Sequence, residues 1–151
     1  MKRIAEAILS DGTKLPYVIT DNPPSGSMKH TFFTPDKKFA VQFFNNDDEA
    51  NNPNLQRRMN YIIGKYNPTL SEKNGGANGN TEESANYFLK RFCWPVATVK
   101  YPKFGIVCPA YPENFFFDEK SSEFINLAGK DKRSNWFTSK NRKYLRDEEC
   151  G

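Results

Sequence analysis

The order of its short apolar runs is the feature that most constrains what this chain can fold into. Three runs rich in β-branched and aromatic residues come first, two amphipathic segments follow, and two more such runs come after them. Runs of the first kind are typical of strands, and apolar residues spaced by three or four are typical of helices. We predict strands over Leu15–Thr20, His30–Thr34, Phe39–Phe44, Trp94–Val99 and Phe104–Ala110, and helices over Asn54–Tyr66 and Glu82–Phe92.

This order predicts an α+β fold, a twisted five-stranded antiparallel sheet with one or two helices. Turn residues separate the strands, at Pro35–Lys38 after the second strand and at Tyr101–Lys103 after the fourth. We therefore expect hairpins between neighbouring strands, except across the helical segments. The short segment Ile4–Ile8 fits a helix or a strand and stays unassigned. The Asn- and Gly-rich segment Ser71–Asn80 is expected to be a flexible loop.

Composition excludes several classes of protein. The 151 residues carry a net charge of +4, too small an excess for a dedicated nucleic-acid binder, and 13 Phe, 7 Tyr and 2 Trp can supply a core despite a mean hydropathy of -0.78. Cys93, Cys108 and Cys150 form no C-x-x-C pair, and His30 is the single histidine. That set favours neither a disulfide framework nor a zinc site nor histidine-based catalysis.

No apolar run approaches the roughly 18 residues of a membrane helix. The start of the chain, Met1–Leu9, has two basic residues but too short an apolar stretch for a signal peptide. We expect a cytoplasmic protein with no membrane partner.

Four segments of the chain resemble a known family. Ser25-Gly26-Ser27-Met28-Lys29 precedes the second strand, Phe92-Cys93-Trp94-Pro95 precedes the fourth, and the fifth continues into Pro109-Ala110-Tyr111-Pro112. With Asn135–Lys140, these segments resemble the N-terminal lobe of divergent bacterial serine/threonine protein kinase-like proteins, the helix-hairpin-helix and protein kinase domain group. The resemblance covers roughly residues 15 to 151. It implies a kinase small-lobe-like domain over 1–118 and a basic segment over 119–151 that leads to an absent C-terminal lobe.

The resemblance also implies a nucleotide site for ATP. Phosphates would lie under the loop at Ser25–Lys29, with Lys29 as the phosphate-binding lysine, because Gln42 stands where the family has lysine on the third strand. Ala40 would cover the adenine ring. The backbone of Pro109-Ala110-Tyr111-Pro112, which would be the hinge between the two lobes, would bind the edge of that ring. The implied nucleotide-binding residues are Ser25, Gly26, Ser27, Lys29, Ala40, Gln42, Pro109, Ala110 and Tyr111.

The catalytic motifs of the family are absent. Neither H-R-D nor D-F-G occurs, and these motifs supply the base and the Mg²⁺ ligands. We expect no catalytic residue, no metal ligand and no phosphoryl transfer in this chain, and Mg²⁺ only together with the missing lobe. That lobe and a protein substrate are the implied partners.

A second interpretation of the same sequence is a non-catalytic α+β interaction or nucleic-acid-binding module. Its basis is the stretch from Lys130 to Arg146, which is basic and contains Trp136, Phe137 and Tyr144. A segment that packs on the missing lobe explains the same composition, so nucleic acid is the less favoured partner.

Overall fold

The computed structural model describes residues 3–112 and residue 115. Six strands form, β1 (Arg3–Leu9), β2 (Lys14–Ile19), β3 (Lys29–Phe33), β4 (Phe39–Phe44), β5 (Ala97–Tyr101) and β6 (Gly105–Pro109). Three α-helices lie between β4 and β5, namely α1 (Asp47–Ala50), α2 (Pro53–Ile63) and α3 (Glu82–Leu89), with a 3-10 turn at Glu72–Asn74. The fold is α+β.

All six strands belong to one sheet, in the order β2-β1-β5-β6-β4-β3. Every pairing is antiparallel. The hairpins predicted across Pro35–Lys38 and Tyr101–Lys103 both form, as β3–β4 and β5–β6. In the first of these turns, the Thr34 hydroxyl donates to Asp36 and the Lys38 amide donates to the same carboxylate oxygen at 3.1 Å.

The prediction of five strands is wrong, because the unassigned start of the chain is a sixth strand. β1 lies inside the sheet, between β2 and β5. Its small Ala5 and Ala7 point to one face while Ile4 and Ile8 point to the other, so both faces carry apolar residues. The alternation that marks a strand is therefore hidden in this segment.

The predicted hairpin between the first two assigned strands is also wrong. Those strands, β2 and β3, stand at opposite ends of the strand order and share no ladder. Their side chains meet instead, since the rings of Tyr17 and Phe32 have centroids 5.5 Å apart. The sheet therefore curls until its two edges approach, which gives a nearly barrel-shaped fold.

The curled sheet encloses the main core on its inner face. Val41 and Val99, both fully buried, lie at the centre of that core. The other buried members are Ala7, Leu9, Tyr17, Phe43 and Val107. Alternate residues of the same strands form the outer face.

Both predicted helices form with shorter bounds, and α2 packs against the outer face of β5. Asn52 caps α2 by accepting hydrogen bonds from the amides of Asn54 and Leu55, and the helix ends at Gly64. Thr81 caps α3 in the same way. The hydroxyl of Thr98 on β5 donates to Asn60 Oδ1 of α2 at 3.1 Å, which ties the helix to the sheet.

The segment predicted as a flexible loop is organised by hydrogen bonds. The Glu72 amide donates to the Asn80 carbonyl at 2.8 Å, and the Asn80 side-chain amide donates to the carbonyls of Pro68 and Leu70 at 3.2 and 2.5 Å. Ser71 is buried, and among the described residues its hydroxyl has no hydrogen-bond partner.

Contacts divide the chain into two compact units, Met1–Ala110 and Tyr111–Gly151. The predicted boundary at residue 118 and the basic segment over 119–151 lie outside the described residues. Within the described part of the chain, no helix is both long enough and apolar enough to cross a membrane.

Candidate nucleotide site

The loop at Ser25–Lys29, which the kinase resemblance assigns to phosphate binding, is closed by backbone contacts between its two ends. The Gly26 amide donates to the Lys29 carbonyl at 3.0 Å, and Ser25 forms an isolated bridge with His30. The Asn45 side-chain amide donates to the carbonyls of Gly26 and Ser27 at 3.1 and 3.3 Å. The loop is therefore held against the end of β4, with Ser25, Gly26 and Ser27 exposed.

Lys29, Gln42 and Ala40 lie on one face of the sheet. In the β3–β4 ladder Lys29 is opposite Phe44, Thr31 is opposite Gln42, and Phe33 is opposite Ala40. Directly opposed residues of an antiparallel pair share a face, and so do residues two apart on a strand. The kinase resemblance implies that Lys29 shares the concave face of the sheet with Ala40 and Gln42. The three residues do share a face, but the concave part of that expectation is wrong, because they lie on the outer face and the core fills the inner face of the curled sheet.

Lys29 is half-buried, and its ammonium nitrogen lies 5.7 Å from the centre of the Phe44 ring. Phe44 is in turn stacked on Phe104, with ring planes only 10° apart. Among the described residues, no carboxylate lies within ion-pair distance of Lys29. In kinases a glutamate of a helix pairs with the phosphate-binding lysine, and the resemblance offers Glu82 and Glu83 for that part. Glu82 instead pairs with Lys73 at 3.9 Å. The described part of the chain therefore gives this lysine no counter-charge.

The hinge residues lie at the opposite end of β4. Phe39 is opposite Pro109, Ala40 is opposite Cys108, and the Ala110 amide donates to the Lys38 carbonyl at 2.9 Å. Ala40 is buried between its neighbours on β3 and β6. Tyr111 begins the second compact unit and is exposed. The backbone amide of Ala110 is thus already used by the protein, and an adenine edge would compete for it.

Two thiols lie beside this end of the face. The Cys93 thiol contacts the Ala110 carbonyl with sulfur and oxygen 3.9 Å apart. Burial raises the pKa of the Cys108 thiol to about 11, although the Lys29 charge opposes that rise. Burial also raises the pKa of Cys93. Both thiols are therefore neutral at physiological pH, and neither is suited to nucleophilic chemistry.

Metal-binding groups are not gathered in the part of the chain that the structure describes. No three His, Cys, Asp or Glu side chains come together there in a way that could hold a metal ion. The acidic run Asp47-Asp48-Glu49 forms the first turn of α1, and Asp47 pairs with Lys103 at 3.2 Å. The described residues therefore do not fit a Mg²⁺ site, and we derive no step through that ion.

Sequence reasoning missed Asn45, which holds the loop in place. It follows β4 directly in a polar run, Asn45-Asn46-Asp47-Asp48, and no local pattern links it to a loop 18 residues earlier. The basic stretch from Lys130 to Arg146, with its three aromatic residues, lies outside the described residues.

No protein-family model, no curated protein and no solved structure matches this chain significantly.

Proposed function

We propose that residues 3–110 form an ATP-binding lobe like the small lobe of a protein kinase, with Lys29 as its phosphate contact. The observation that supports this proposal is the position of Lys29 on the same face as Ala40 and Gln42. A shift of register by one residue would direct Lys29 to the opposite face. A lysine at position 29 can therefore face the same surface as residue 42, the position at which the kinase family has its phosphate-binding lysine.

The nucleotide would lie along the outer face of β4. Its six residues span about 17 Å at the usual rise of a strand. Adenine would bind near Ala40 and the Pro109–Ala110 backbone, and the phosphates would lie near Lys29 at the other end. An extended nucleotide suits this arrangement, since Lys29 lies at one end of β4 and the Pro109–Ala110 backbone at the other.

Lys29 and Gln42 have different parts in this site. The lysine ammonium is a compact charge with three hydrogen-bond donors, which suits phosphate oxygens. Gln42 is half-buried and neutral, so it can add a hydrogen bond but no counter-charge. The exposed loop at Ser25–Ser27 adds backbone amides near the same end.

The proposal covers binding and not phosphoryl transfer. The H-R-D and D-F-G motifs do not occur in the 151 residues, and the described residues gather no metal ligands. A kinase holds ATP with metal ions that neutralise the phosphate charge. A lobe that lacks these ions binds ATP weakly, and we expect a dissociation constant of about 0.1 mM or weaker, which corresponds to about -5.5 kcal/mol.

Calorimetric or NMR titration of the 151-residue protein with ATP tests the proposal. Lys29→Ala should weaken ATP binding by about tenfold, because it removes one charged hydrogen bond. Lys65→Ala is the matched control, since the Lys65 ammonium also lies over an aromatic ring, 5.8 Å from the centre of Tyr66, but in the turn that follows α2 and not on a strand of the sheet. Equal effects of the two variants, or no ATP binding at millimolar concentration, would reject the proposal.

A further inference from the structure

The open end of the curled sheet contains a pocket of about 310 Å³ on the inner face, away from the proposed nucleotide. Strands β2, β3 and β4 and the turn between β5 and β6 all contribute to its lining. The lining residues are Tyr17, Ile19, His30, Phe32, Phe43, Pro102 and Lys103. Its volume lies at the small end of the usual range for ligand sites, about 300–1,000 Å³, and the mouth of a barrel is a common place for such a site.

The floor of the pocket is aromatic. Tyr17, Phe32 and Phe43 form a triangle in which each pair of ring centroids is 5.5 to 6.0 Å apart, with rings inclined by 54 to 61°. Tyr17 and Phe43 are buried, so the rings are fixed in place. Rigid inclined rings offer both edges and faces to another aromatic ring, which favours a planar apolar ligand.

The rim of the pocket is basic and rich in donors. His30 is exposed, and Lys103 contributes an ammonium that pairs with Asp47 at 3.2 Å and keeps further N–H donors. Arg3 lies directly opposite Ile19 in the β1–β2 ladder and so shares the inner face at this end. The donor side chains of His30, Lys103 and Arg3 favour an anionic group at the mouth.

One ring of the floor carries a hydroxyl group, that of Tyr17. Among the described residues, the Tyr17 hydroxyl has no hydrogen-bond partner, and it is not sealed from solvent as the Ser71 hydroxyl is. A buried tyrosine ring usually finds a partner for its hydroxyl. An oxygen acceptor on a ligand would supply that partner.

We propose that this pocket binds a small aromatic carboxylate. The aromatic ring would lie against Tyr17, Phe32 and Phe43, and the carboxylate would accept hydrogen bonds from the rim, chiefly from Lys103 and His30. Because the floor belongs to the inner face and the candidate nucleotide surface to the outer face, the two ligands bind independently. This site therefore does not depend on the proposed ATP function.

Three probes with one ring system and different charge test the proposal: naphthoate, naphthamide and naphthylmethylammonium. NMR titration of the 151-residue protein should move the resonances of Ile19 and His30 with naphthoate. Naphthoate should bind about tenfold more tightly than the neutral amide, the gain expected for a charged hydrogen bond, and the cation should bind most weakly. Saturating ATP should leave the naphthoate affinity unchanged.

Two variants locate the site. Lys103→Gln should reduce the affinity for naphthoate to near that for naphthamide, whereas Lys100→Gln, an exposed lysine on the same hairpin, should have no effect. Ile19→Trp should fill the pocket and weaken all three probes. Should that variant fail to fold, the Ile19 and His30 shifts of the unaltered protein still decide. Shifts confined to other residues, or equal affinity for all three probes, would overturn the proposal.

Discussion

The ammonium nitrogen of Lys29 lies 5.7 Å from the centre of the Phe44 ring, and the two residues are direct partners across the β3–β4 ladder. The ring therefore holds the lysine side chain over the outer face of the sheet, where an exposed cation–π contact is worth about 0.5–1 kcal/mol. That contact explains how a lysine outside β4 can occupy the surface that residue 42 faces.

The first prediction is that a lysine at position 42 can partly replace Lys29. In the Lys29→Ala background, Gln42→Lys should recover part of the lost ATP affinity, because both side chains lie on one face and a lysine at 42 restores the charge. Gln42→Met in the same background is the control for side-chain size. Calorimetry measures the affinities. Failure of Gln42→Lys to exceed Gln42→Met would show that Lys29 does not act as a phosphate charge.

A second prediction concerns Gly105, where two backbones approach closely. A Cβ atom built there would lie 2.5 Å from the Gln42 carbonyl oxygen and 3.0 Å from the Phe43 ring. Gly105→Ala should therefore lower the free energy of unfolding by about 1–3 kcal/mol, the usual cost of overpacking. Chemical denaturation measures the change. Gly26→Ala is the control, since a Cβ atom there meets nothing within 4 Å; similar losses for both variants would contradict the packing at Gly105.

Local pattern predicted those elements whose boundaries are marked in the sequence itself. The bounds of β4, Phe39–Phe44, follow from an apolar run between turn residues and a polar run, and the sequence prediction of this strand is confirmed. β1 was not predicted because Ala5 and Ala7 face the core while Ile4 and Ile8, with Glu6 between them, face outward, which hides the usual alternation of apolar and polar residues. The meeting of β2 with β3 depends on the Tyr17–Phe32 contact, which joins segments distant in sequence.

The geometry of the candidate site was likewise only partly predictable from local sequence patterns. The side shared by Lys29 and Gln42 follows from strand alternation once the register is known, but the register itself depends on the turn at Pro35–Lys38. The clamp by Asn45 is a long-range hydrogen bond with no local signal. The inner pocket is likewise assembled from four separate segments of chain.

A third prediction concerns the order of the loop between α2 and α3. The Asn80 side-chain amide donates hydrogen bonds to the carbonyls of Pro68 and Leu70 and so holds the two ends of this loop together. Asn80→Ala should leave these carbonyls without that donor and cost about 1–3 kcal/mol. Amide hydrogen exchange over residues 70–80 should accelerate. Asn78→Ala, at an exposed position, is the control; fast exchange of this segment already in the unaltered protein would instead support the flexible loop that composition predicts.

The last prediction concerns Cys108, whose pKa burial raises to about 11. At pH 8 only about one thousandth of this thiol is ionised, so iodoacetamide should label it much more slowly than a free thiol, as peptide mapping can measure.

The raised pKa of Cys108 also makes the stability of the fold depend on pH. The neutral thiol is favoured in the folded chain, so its contribution is complete below the unfolded pKa near 9 and is lost as pH rises toward 11. The loss amounts to about 2–3 kcal/mol. Tyr17, whose pKa burial also raises, acts in the same direction, so the comparison is with Cys108→Ala. That variant should show a shallower fall of stability between pH 9 and 11, and parallel curves for the two proteins would contradict the burial of this thiol.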